Sequence, residues 1–208
     1  MKHIVPPALV SINSDDYNYQ LKLMPFWRCY KMITLRSKYL EWLNNISNLK
    51  LIASSELMSP NKSIDFIESS FQRFNNPFSQ GFFIYSSRYK EFIGTAKLDN
   101  YSPKDRTAWD GILIGNQTYK GKGIGTIVYN LLLQYCFVHQ NIAKVYGGCN
   151  ENNKAMVRIF ANLGYTFNSR VTNVDFIDQK HSDHLYFSIS KYQYRRNILY
   201  RAVPIYDK

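Results

Sequence analysis

The chain has 208 residues, of which 45% are hydrophobic and 20% are charged, and its formal net charge is +11. This composition suits one compact domain and excludes a largely disordered chain. No run of 18 apolar residues occurs, so we expect no transmembrane helix, no membrane partner and a cytoplasmic location. The charge favours anionic partners such as phosphates, but no nucleic-acid recognition motif accompanies it, so nucleic acid is not an expected partner.

Apolar spacing and turn residues predict alternating strands and helices without an internal repeat. The predicted elements are, in chain order, a strand at 17–26, a helix at 29–46, a helix from Ser59 to Pro77, strands at 81–86, 91–98 and 108–114, a helix at 126–139, a strand at 144–149, a helix at 154–163, and strands at 165–167 and 184–189. Ser59 is the predicted N-cap and Pro60 the first helical residue. The segment from Lys191 to Lys208 includes five basic side chains and four tyrosines, and it fits either an extra strand or a partner contact.

Cysteine and histidine spacing gives no sign of a metal site. Cys29, Cys136 and Cys149 form no CxxC pair, so we expect reduced, buried thiols. His181 and His184 are the only histidines close together, and an exposed surface pair is the simplest interpretation.

A glycine-rich segment joins the strand at 108–114 to the next helix. In Lys120-Gly-Lys-Gly-Ile-Gly125, successive backbone N–H groups and a helix N-terminus meet beside two lysines, which favours a pyrophosphate ligand. The segment is not a P-loop, because Lys122 is followed by glycine, and the glycine spacing does not fit a dinucleotide-binding fingerprint. It fits the Arg/Gln-x-x-Gly-x-Gly pattern of acyl-CoA loops, with Lys120 in the first position, and an ordinary turn is the alternative.

A second segment strengthens the acyl-CoA interpretation. The helix from Asn153 to Gly164-Tyr165 resembles the second CoA-binding motif of the GNAT superfamily of N-acetyltransferases, in which Asn begins a helix that ends in Gly-Phe or Gly-Tyr. The two motifs occur in the family's order, and the resemblance extends over residues 108–191 and more loosely over 17–107. The nearest branch resembles ribosomal-protein N-terminal acetyltransferases and sugar N-acetyltransferases.

This resemblance implies an α/β (α+β) fold, with a mixed, mostly antiparallel sheet whose central strands splay apart between flanking helices. It implies a single domain over residues 1–191, followed by a basic, Tyr-rich tail over 192–208 of unknown role. It also implies acetyl-CoA as co-substrate, with no metal. The implied acetyl-CoA contacts are Ile112, Leu113 and Ile114 along the pantetheine, then Lys120, Gly121, Lys122, Gly123, Ile124, Gly125 and Thr126 at the pyrophosphate, and Asn153 on the cofactor arm.

The expected acid and base of the family are not at their usual places. Trp109 stands where many relatives carry Glu, and Phe160 stands where many carry a proton-donating Tyr. Asp110 would point to the opposite face of its strand from Trp109. The candidate catalytic residues are therefore Asp110 and Asp183, with Glu56 as a further candidate and a water chain as the alternative. Trp109 is a candidate for lining the acceptor slot, and a core position is its alternative.

The resemblance implies acetyl transfer to a primary amine by direct attack in a ternary complex. A strongly basic protein repels polycations, so an anionic acceptor such as a nucleotide-linked amino sugar is favoured. The alternatives are a protein N-terminal acetyltransferase of the ribosomal-protein type, a non-catalytic CoA-binding GNAT domain, and a nucleic-acid-binding protein. A homodimer is left open.

Overall fold

The computed structural model describes residues 18–29, 31–52, 61–177 and 180–202. The strands are β1 (Leu21–Pro25), β2 (Asn75–Asn76), β3 (Ser79–Ser86), β4 (Glu91–Ser102), β5 (Thr107–Ile114), β6 (Lys144–Asn150), β7 (Thr166–Ile177) and β8 (Lys180–Ser190). The α-helices are α1 (Phe26–Cys29), α2 (Ile33–Asn44), α3 (Ile46–Leu49), α4 (Ile64–Arg73), α5 (Ile124–Gln134), α6 (Lys154–Leu163) and α7 (Lys191–Ala202).

All eight strands form one sheet in the order β1-β3-β4-β5-β6-β8-β7, with β2 paired to β3. Neighbouring strands run antiparallel except β5 and β6, which are parallel. A parallel pair needs a long crossover, and here α5 supplies it together with a π-helical turn at Tyr135–His139. The predicted mixed, mostly antiparallel sheet with flanking helices is confirmed.

The central strands separate after a short parallel pairing. β5 pairs with β6 only from Thr107 to Trp109, opposite Lys144 to Tyr146, although β5 continues to Ile114 and β6 to Asn150. From that point the edge of β5 that faces β6 has no strand partner among the described residues. The sheet is therefore split by a slot that opens toward the carboxyl ends of both strands.

Each face of the sheet has its own apolar core. One face packs against α5 and α6 around fully buried rings such as Phe82, Tyr135 and Phe160. The other face packs against the N-terminal helices around Phe26, Trp42 and Phe83. Because strand side chains alternate between faces, Trp109 and Asp110 are directed to opposite sides. The register between β4 and β5 is regular from Gly94 to Asp99, so no bulge reverses this alternation.

Several element boundaries differ from the prediction. The helix predicted at 29–46 is interrupted, because Met32 and Asn45 are both extended. The predicted start at Ser59 and Pro60 lies outside the described residues, whereas α4 begins at Ile64 and is capped by Ser63, whose Oγ accepts from Phe66 N. The two last strands are much longer than predicted. The segment after Ser190 is a helix, α7, and not an extra strand.

Candidate functional site

The slot between β5 and β6 is part of a cleft of about 990 Å³. One end is lined by the loop before α5 and the first turn of α6, and the other by α4, β4 and the sheet face that carries Trp109. The cleft thus runs from one face of the sheet to the other. A linear ligand threaded through the slot would contact helix N-termini at one end and the Trp109 face at the other.

The glycine-rich loop forms the first end of this cleft. Gly121 and Gly123 have φ angles of +73° and +76°, which favour glycine. Gly123 is the N-cap of α5, so no side chain caps the first turn. The N–H groups of that turn are left to a ligand, and the helix dipole favours a negative one. A Cβ at Gly125 would approach Ile159 Cδ1 to 2.7 Å, so glycine here also lets α5 and α6 pack closely.

Three polar residues predicted to contact the cofactor also have partners within the protein. Lys120 Nζ donates to Asn48 Oδ1 at 2.5 Å, and burial lowers the pKa of this lysine. Lys122 Nζ lies 6.0 Å from the centre of the Tyr119 ring. Asn153 caps α6 by accepting from Met156 N at 3.1 Å, and its amide donates to Leu51 O at 3.1 Å. Lys120 and Asn153 therefore join the N-terminal helical segment to the walls of the slot.

The Trp109 face of the sheet provides the opposite end of the cleft. Trp109 is 36% exposed, stacks on Tyr146 at 5.3 Å between ring centroids and meets Tyr186 edge-on at 5.9 Å. Across β5, Lys97 pairs with Gly111, and its side chain extends until Nζ lies 5.3 Å from the Phe74 ring centre. Trp109 is thus a wall of the cleft rather than a core residue.

One carboxylate on this face is already surrounded by donors. Asp99 accepts hydrogen bonds from Ser79 Oγ and from Asn100 N, and Arg73 Nη2 lies 3.5 Å from its second oxygen. Together Arg73, Lys97 and Asp99 leave this wall with an excess of positive charge.

Asp110 lies on the other face, at the point where β5 and β6 separate. It is buried, and its Oδ2 accepts a hydrogen bond from the Tyr165 hydroxyl. Its Oδ1 is also buried and accepts no hydrogen bond in the described structure. Burial raises the pKa of the Asp110 carboxyl to about 7, although the Tyr165 and Tyr129 hydroxyls and the charge of Lys97 oppose the rise. Asp110 is therefore a cleft-lining acid that titrates near neutrality.

Asp183, the second predicted catalytic residue, is not brought to Asp110. Its Oδ2 lies 3.5 Å from Arg170 Nη1, and its Oδ1 accepts from Asn173 N at 3.1 Å. Asp183 does not line the cleft, so its environment is that of an ion pair between β7 and β8. Glu56 lies outside the described residues.

A histidine and an aspartate that the sequence did not point to meet at the edge of the cleft. His184 lines the cleft, and its Nδ1 lies 3.1 Å from Asp175 Oδ2 and 3.3 Å from Oδ1. Asp175 is 7% exposed and also accepts from Asn150 Nδ2 at 3.0 Å. The interpretation of His184 as an exposed surface residue is therefore wrong, because β7 and β6 cover its side chain. No spacing in the sequence signals this contact.

Other site types find no support in the described parts of the chain. Those ranges hold no group of three or more His, Cys, Asp or Glu side chains arranged to bind a metal ion. They also contain no helix long and apolar enough to cross a membrane. The three cysteines are free and buried.

Comparisons with known proteins agree with this geometry. A family model described as an acetyltransferase (GNAT) domain matches residues 38–166. Spermidine N-acetyltransferase from Vibrio cholerae in complex with CoA and spermine is similar in structure, with a TM-score of 0.73, 20% identity, and coverage of 84% of this chain and 98% of that one. Mutant forms of the spermidine/spermine N-acetyltransferase SpeG from Vibrio cholerae match with a TM-score of 0.67, 22% identity, and coverage of 86% and 98%. At these identities the likeness shows the fold, and a comparison with curated sequences found no match.

Proposed function

The chain belongs to the GNAT acetyltransferase family, and we propose that it acetylates the amine of a small acceptor that also carries negative charge. Membership makes it an acetyl-CoA-dependent N-acetyltransferase. The finer statements concern the residues that hold acetyl-CoA, the acceptor and the acid that completes the transfer. The single observation that supports the acceptor class is the excess of positive charge on the Trp109 face of the cleft.

Acetyl-CoA fits the slot in two parts. The free edge of β5 at Ile112, Leu113 and Ile114 is suited to pair with the pantetheine, as a strand pairs with its neighbour. The loop from Lys120 to Thr126 is suited to the pyrophosphate, because uncapped N–H groups and a positive helix end meet there. We assign Asn153 an indirect part, since its amide holds Leu51 against the start of α6. A backbone N–H of β5 would then polarise the thioester carbonyl.

The charge on the acceptor wall favours an anionic acceptor. Lys97 extends across Gly111 toward α4, where Arg73 lies beside Asp99. Two cations beside one carboxylate that is already held by three donors attract phosphate or carboxylate groups. A nucleotide-linked amino sugar provides both an amine and such phosphates. A polyamine needs carboxylates along its path, and the only cleft-lining carboxylates among the described residues are Asp99 and the buried Asp110.

We assign Asp110 the part of the acid. When the amine displaces CoA, the leaving thiolate needs a proton, and a group whose pKa lies near the working pH supplies it best. Asp110 lies where the strands separate, on the same side of the sheet as Phe160, which stands where many relatives carry a proton-donating Tyr. Its unpartnered Oδ1 is the atom from which the proton would leave.

Reduced, buried thiols further support a cytoplasmic enzyme.

The acceptor class is tested by CoA release over a panel of amines, with intact mass to identify the product. The panel contains nucleotide-linked amino sugars, spermidine, spermine and peptides with a free N-terminus. We expect the highest kcat/KM with a nucleotide-linked amino sugar. A preference for spermidine, or for a peptide N-terminus, would refute the anionic acceptor while leaving the acetyltransferase activity intact.

A matched pair of variants links the acceptor to the wall. Lys97→Met keeps an unbranched side chain that is one atom shorter and removes its charge, so KM for the anionic acceptor should rise at least about tenfold, since a charge-assisted contact contributes about 1.5–3 kcal/mol. Lys104→Met, in the exposed turn between β4 and β5, removes the same charge away from the cleft and should leave KM unchanged. Equal effects of the two variants would indicate that the acceptor responds only to the net positive charge of the protein and not to the cleft wall.

A further inference from the structure

We infer that His184, oriented by Asp175, is the general base that takes the proton from the acceptor ammonium. This inference rests on the proposed acetyl transfer, because it assigns a second group to the same reaction. It concerns a residue that stands at neither of the positions where many relatives carry their base and acid, which are Trp109 and Phe160 here.

The contact with Asp175 fixes the imidazole. Nδ1 of His184 lies within hydrogen-bond distance of both carboxylate oxygens, at 3.1 and 3.3 Å. A carboxylate is only an acceptor, so in the neutral ring Nδ1 carries the proton and donates it, and Nε2 keeps its lone pair. Asp175 is itself held by Asn150 Nδ2, which also donates to Ser182 Oγ at 2.6 Å. A buried aspartate that fixes the tautomer of a histidine is the arrangement that a histidine base requires.

An irregularity in β7 creates this pair. The register of β7 against β8 shifts between Val171, opposite His184, and Asp175, opposite Ser182. In a regular ladder Asn173 would lie opposite Ser182, so the extra residues bring Asp175 to the position beside His184. Asn173 has a φ of +57°, and its N–H donates to Asp183 Oδ1, which fixes the irregular backbone. Such bulges often redirect side chains next to functional sites.

The second ring nitrogen lies over the cleft. A Cβ at Gly148 would be 2.5 Å from His184 Nε2, so the absence of a side chain on β6 leaves room for the ring there. Both Gly148 and His184 line the cleft. Through the pairing of β6 with β8, His184 shares its sheet face with Tyr186, whose ring centroid is 4.6 Å away, and with Trp109 beyond it. His184 and the acceptor wall therefore lie on the same face, on opposite sides of the slot.

Among the described residues, few charged groups lie near this nitrogen. β7 contributes Asp175, which faces Nδ1, and β8 contributes the Tyr186 phenol. The neighbouring positions of β6 are Gly148 and Asn150, neither of which titrates. Asp183 and Arg170 pair with each other, and Asp183, next to His184 on its strand, points to the opposite face. Nε2 is therefore available to an ammonium group that enters from the acceptor wall.

The proton balance closes with the groups already assigned. The acceptor enters as an ammonium ion and gives one proton to His184 Nε2. The nitrogen lone pair then forms the new bond to the carbonyl carbon, the carbon–sulfur bond breaks, and sulfur leaves with its electron pair. The second proton on nitrogen is lost to water, and the thiolate takes a proton from Asp110. To return to their starting states, His184 releases its proton to solvent and Asp110 takes one proton from solvent. Two protons leave nitrogen and one reaches sulfur, so each turnover releases one proton to solvent.

The test measures kcat/KM across pH for wild type, His184→Gln, Asp175→Asn and the control His181→Gln, with the best acceptor from the amine panel. We expect His184→Gln to lower kcat/KM by about 10²–10⁴-fold near neutrality, the usual contribution of a general base. The loss should become smaller as the pH approaches the pKa of the amine, because the acceptor is then deprotonated without a base. His181 is exposed and does not line the cleft, so His181→Gln should match wild type. Acetyl-CoA affinity should be unchanged in all three variants.

Asp175→Asn separates orientation from mere support of the fold. Asp175→Asn removes the carboxylate that fixes Nδ1, so kcat should fall at least about tenfold while KM for the acceptor stays unchanged, and Asp175→Glu, which restores a carboxylate, should recover part of the loss. A role in folding alone would lower the free energy of unfolding without separating kcat from KM. A His184→Gln variant within about threefold of wild type would overturn the inference, and so would an Asp175→Asn variant that keeps the wild-type kcat. If wild type binds acetyl-CoA but acetylates no amine, the proposed function itself fails.

Discussion

At the scale of single residues, Asp110 is the clearest case of a side chain whose surroundings change its chemistry. An exposed aspartate is ionised at neutral pH, but Asp110 is buried against the Tyr165 hydroxyl and has a pKa of about 7. If it acts as the acid, kcat should fall as pH rises above about 7, because the ionised form has no proton to give. Asp110→Asn should lose this alkaline limb and at least about a hundredfold in rate.

Asp183→Asn is the control for that experiment. It also removes a carboxylate, but from a position in β8 that does not line the cleft. Its rate should stay within about tenfold of wild type, which is less than the loss of an acid or base would cause. An Asp110→Asn variant that keeps the alkaline limb would show that another group protonates the thiolate.

The same carboxyl makes a prediction about stability. Its pKa in the folded state, about 7, lies above the ordinary value near 3.9, so the folded protein holds a proton that the unfolded chain releases. The stabilisation linked to this proton is complete below about pH 4 and is lost as pH rises to about 7. Asp110→Asn has no such proton, so its free energy of unfolding relative to wild type should increase over that interval. The change should amount to a few kcal/mol, since one pKa unit corresponds to about 1.4 kcal/mol.

Urea unfolding of both proteins between pH 4.5 and 8 measures this difference directly, because other titrating groups cancel in the comparison. A difference that does not vary with pH would show that Asp110 has an ordinary pKa in the folded protein.

These residues also show where sequence analysis ends. The alternation of strand side chains was enough to predict that Asp110 and Trp109 point to opposite faces. It was not enough to find Tyr165, which is 55 residues away and meets Asp110 through tertiary packing. The prediction that His184 lies exposed on the surface is wrong for a similar reason. Its partner is brought into place by an irregular register, and a count of alternating positions does not detect such a shift.

At the scale of elements, glycine and turn residues in the sequence predicted where some helices and strands end. The end of α6 at Gly164, with a φ of +81°, is confirmed, because a residue in the left-handed region is readily recognised from a glycine after an apolar helix. The predicted hairpin between β3 and β4 is also confirmed, because a short polar segment between two strand-like runs is readily recognised in a sequence. The interruption of the first predicted helix at Met32 and Asn45 was missed, since neither residue is a strong helix breaker and their extended backbone depends on packing.

The loop before α5 offers a test of its geometry. Gly123→Val should weaken acetyl-CoA binding at least about tenfold, because a β-branched residue resists a φ of +76° at the cap of the helix. Gly123→Asn is the informative companion, since Asn tolerates this conformation better. Calorimetric titration with CoA measures both affinities.

The two variants distinguish the causes. If backbone strain is responsible, Gly123→Asn should keep most of the affinity. If close approach of the ligand to the backbone is responsible, both variants should bind weakly, since a Cβ at this position meets no protein atom within 4 Å and would extend into open space. Wild-type affinity in Gly123→Val would mean that the segment is an ordinary turn.

At the scale of the whole molecule, one slot divides a single sheet while two cores hold its faces. The slot is stable as an opening because the β4–β5 ladder and the β6–β8 ladder each continue past the point where β5 and β6 separate. The helices join the two halves. Gly125 lets α5 approach Ile159 of α6, and Asn153 ties α6 to Leu51 of the N-terminal segment. The cofactor site and the connection between the halves are therefore built from the same residues.

The C-terminal helix α7 completes this connection, although the sequence suggested a domain that ends near residue 191. Tyr194 is 4% exposed, packs against Phe137 at 5.2 Å between ring centroids, and donates from its hydroxyl to Asn130 Oδ1 at 3.1 Å. Asn197 Nδ2 donates to Leu163 O at 3.1 Å, at the last turn of α6. We therefore propose that the folded domain extends through α7, which contacts both α5 and α6.

Two tyrosines in this helix make the proposal testable with a matched pair. Tyr194→Ala should lower the free energy of unfolding by about 3 kcal/mol, as expected when a large buried side chain is removed. Tyr192→Ala should change it by less than about 0.5 kcal/mol, because Tyr192 is 74% exposed. Urea denaturation monitored by circular dichroism gives both values. Equal stability of the two variants would mean that α7 is an appendage and that the domain ends at β8. The Tyr194→Ala protein should also respond to acetyl-CoA, since the ligand binds the folded state and restores stability by mass action.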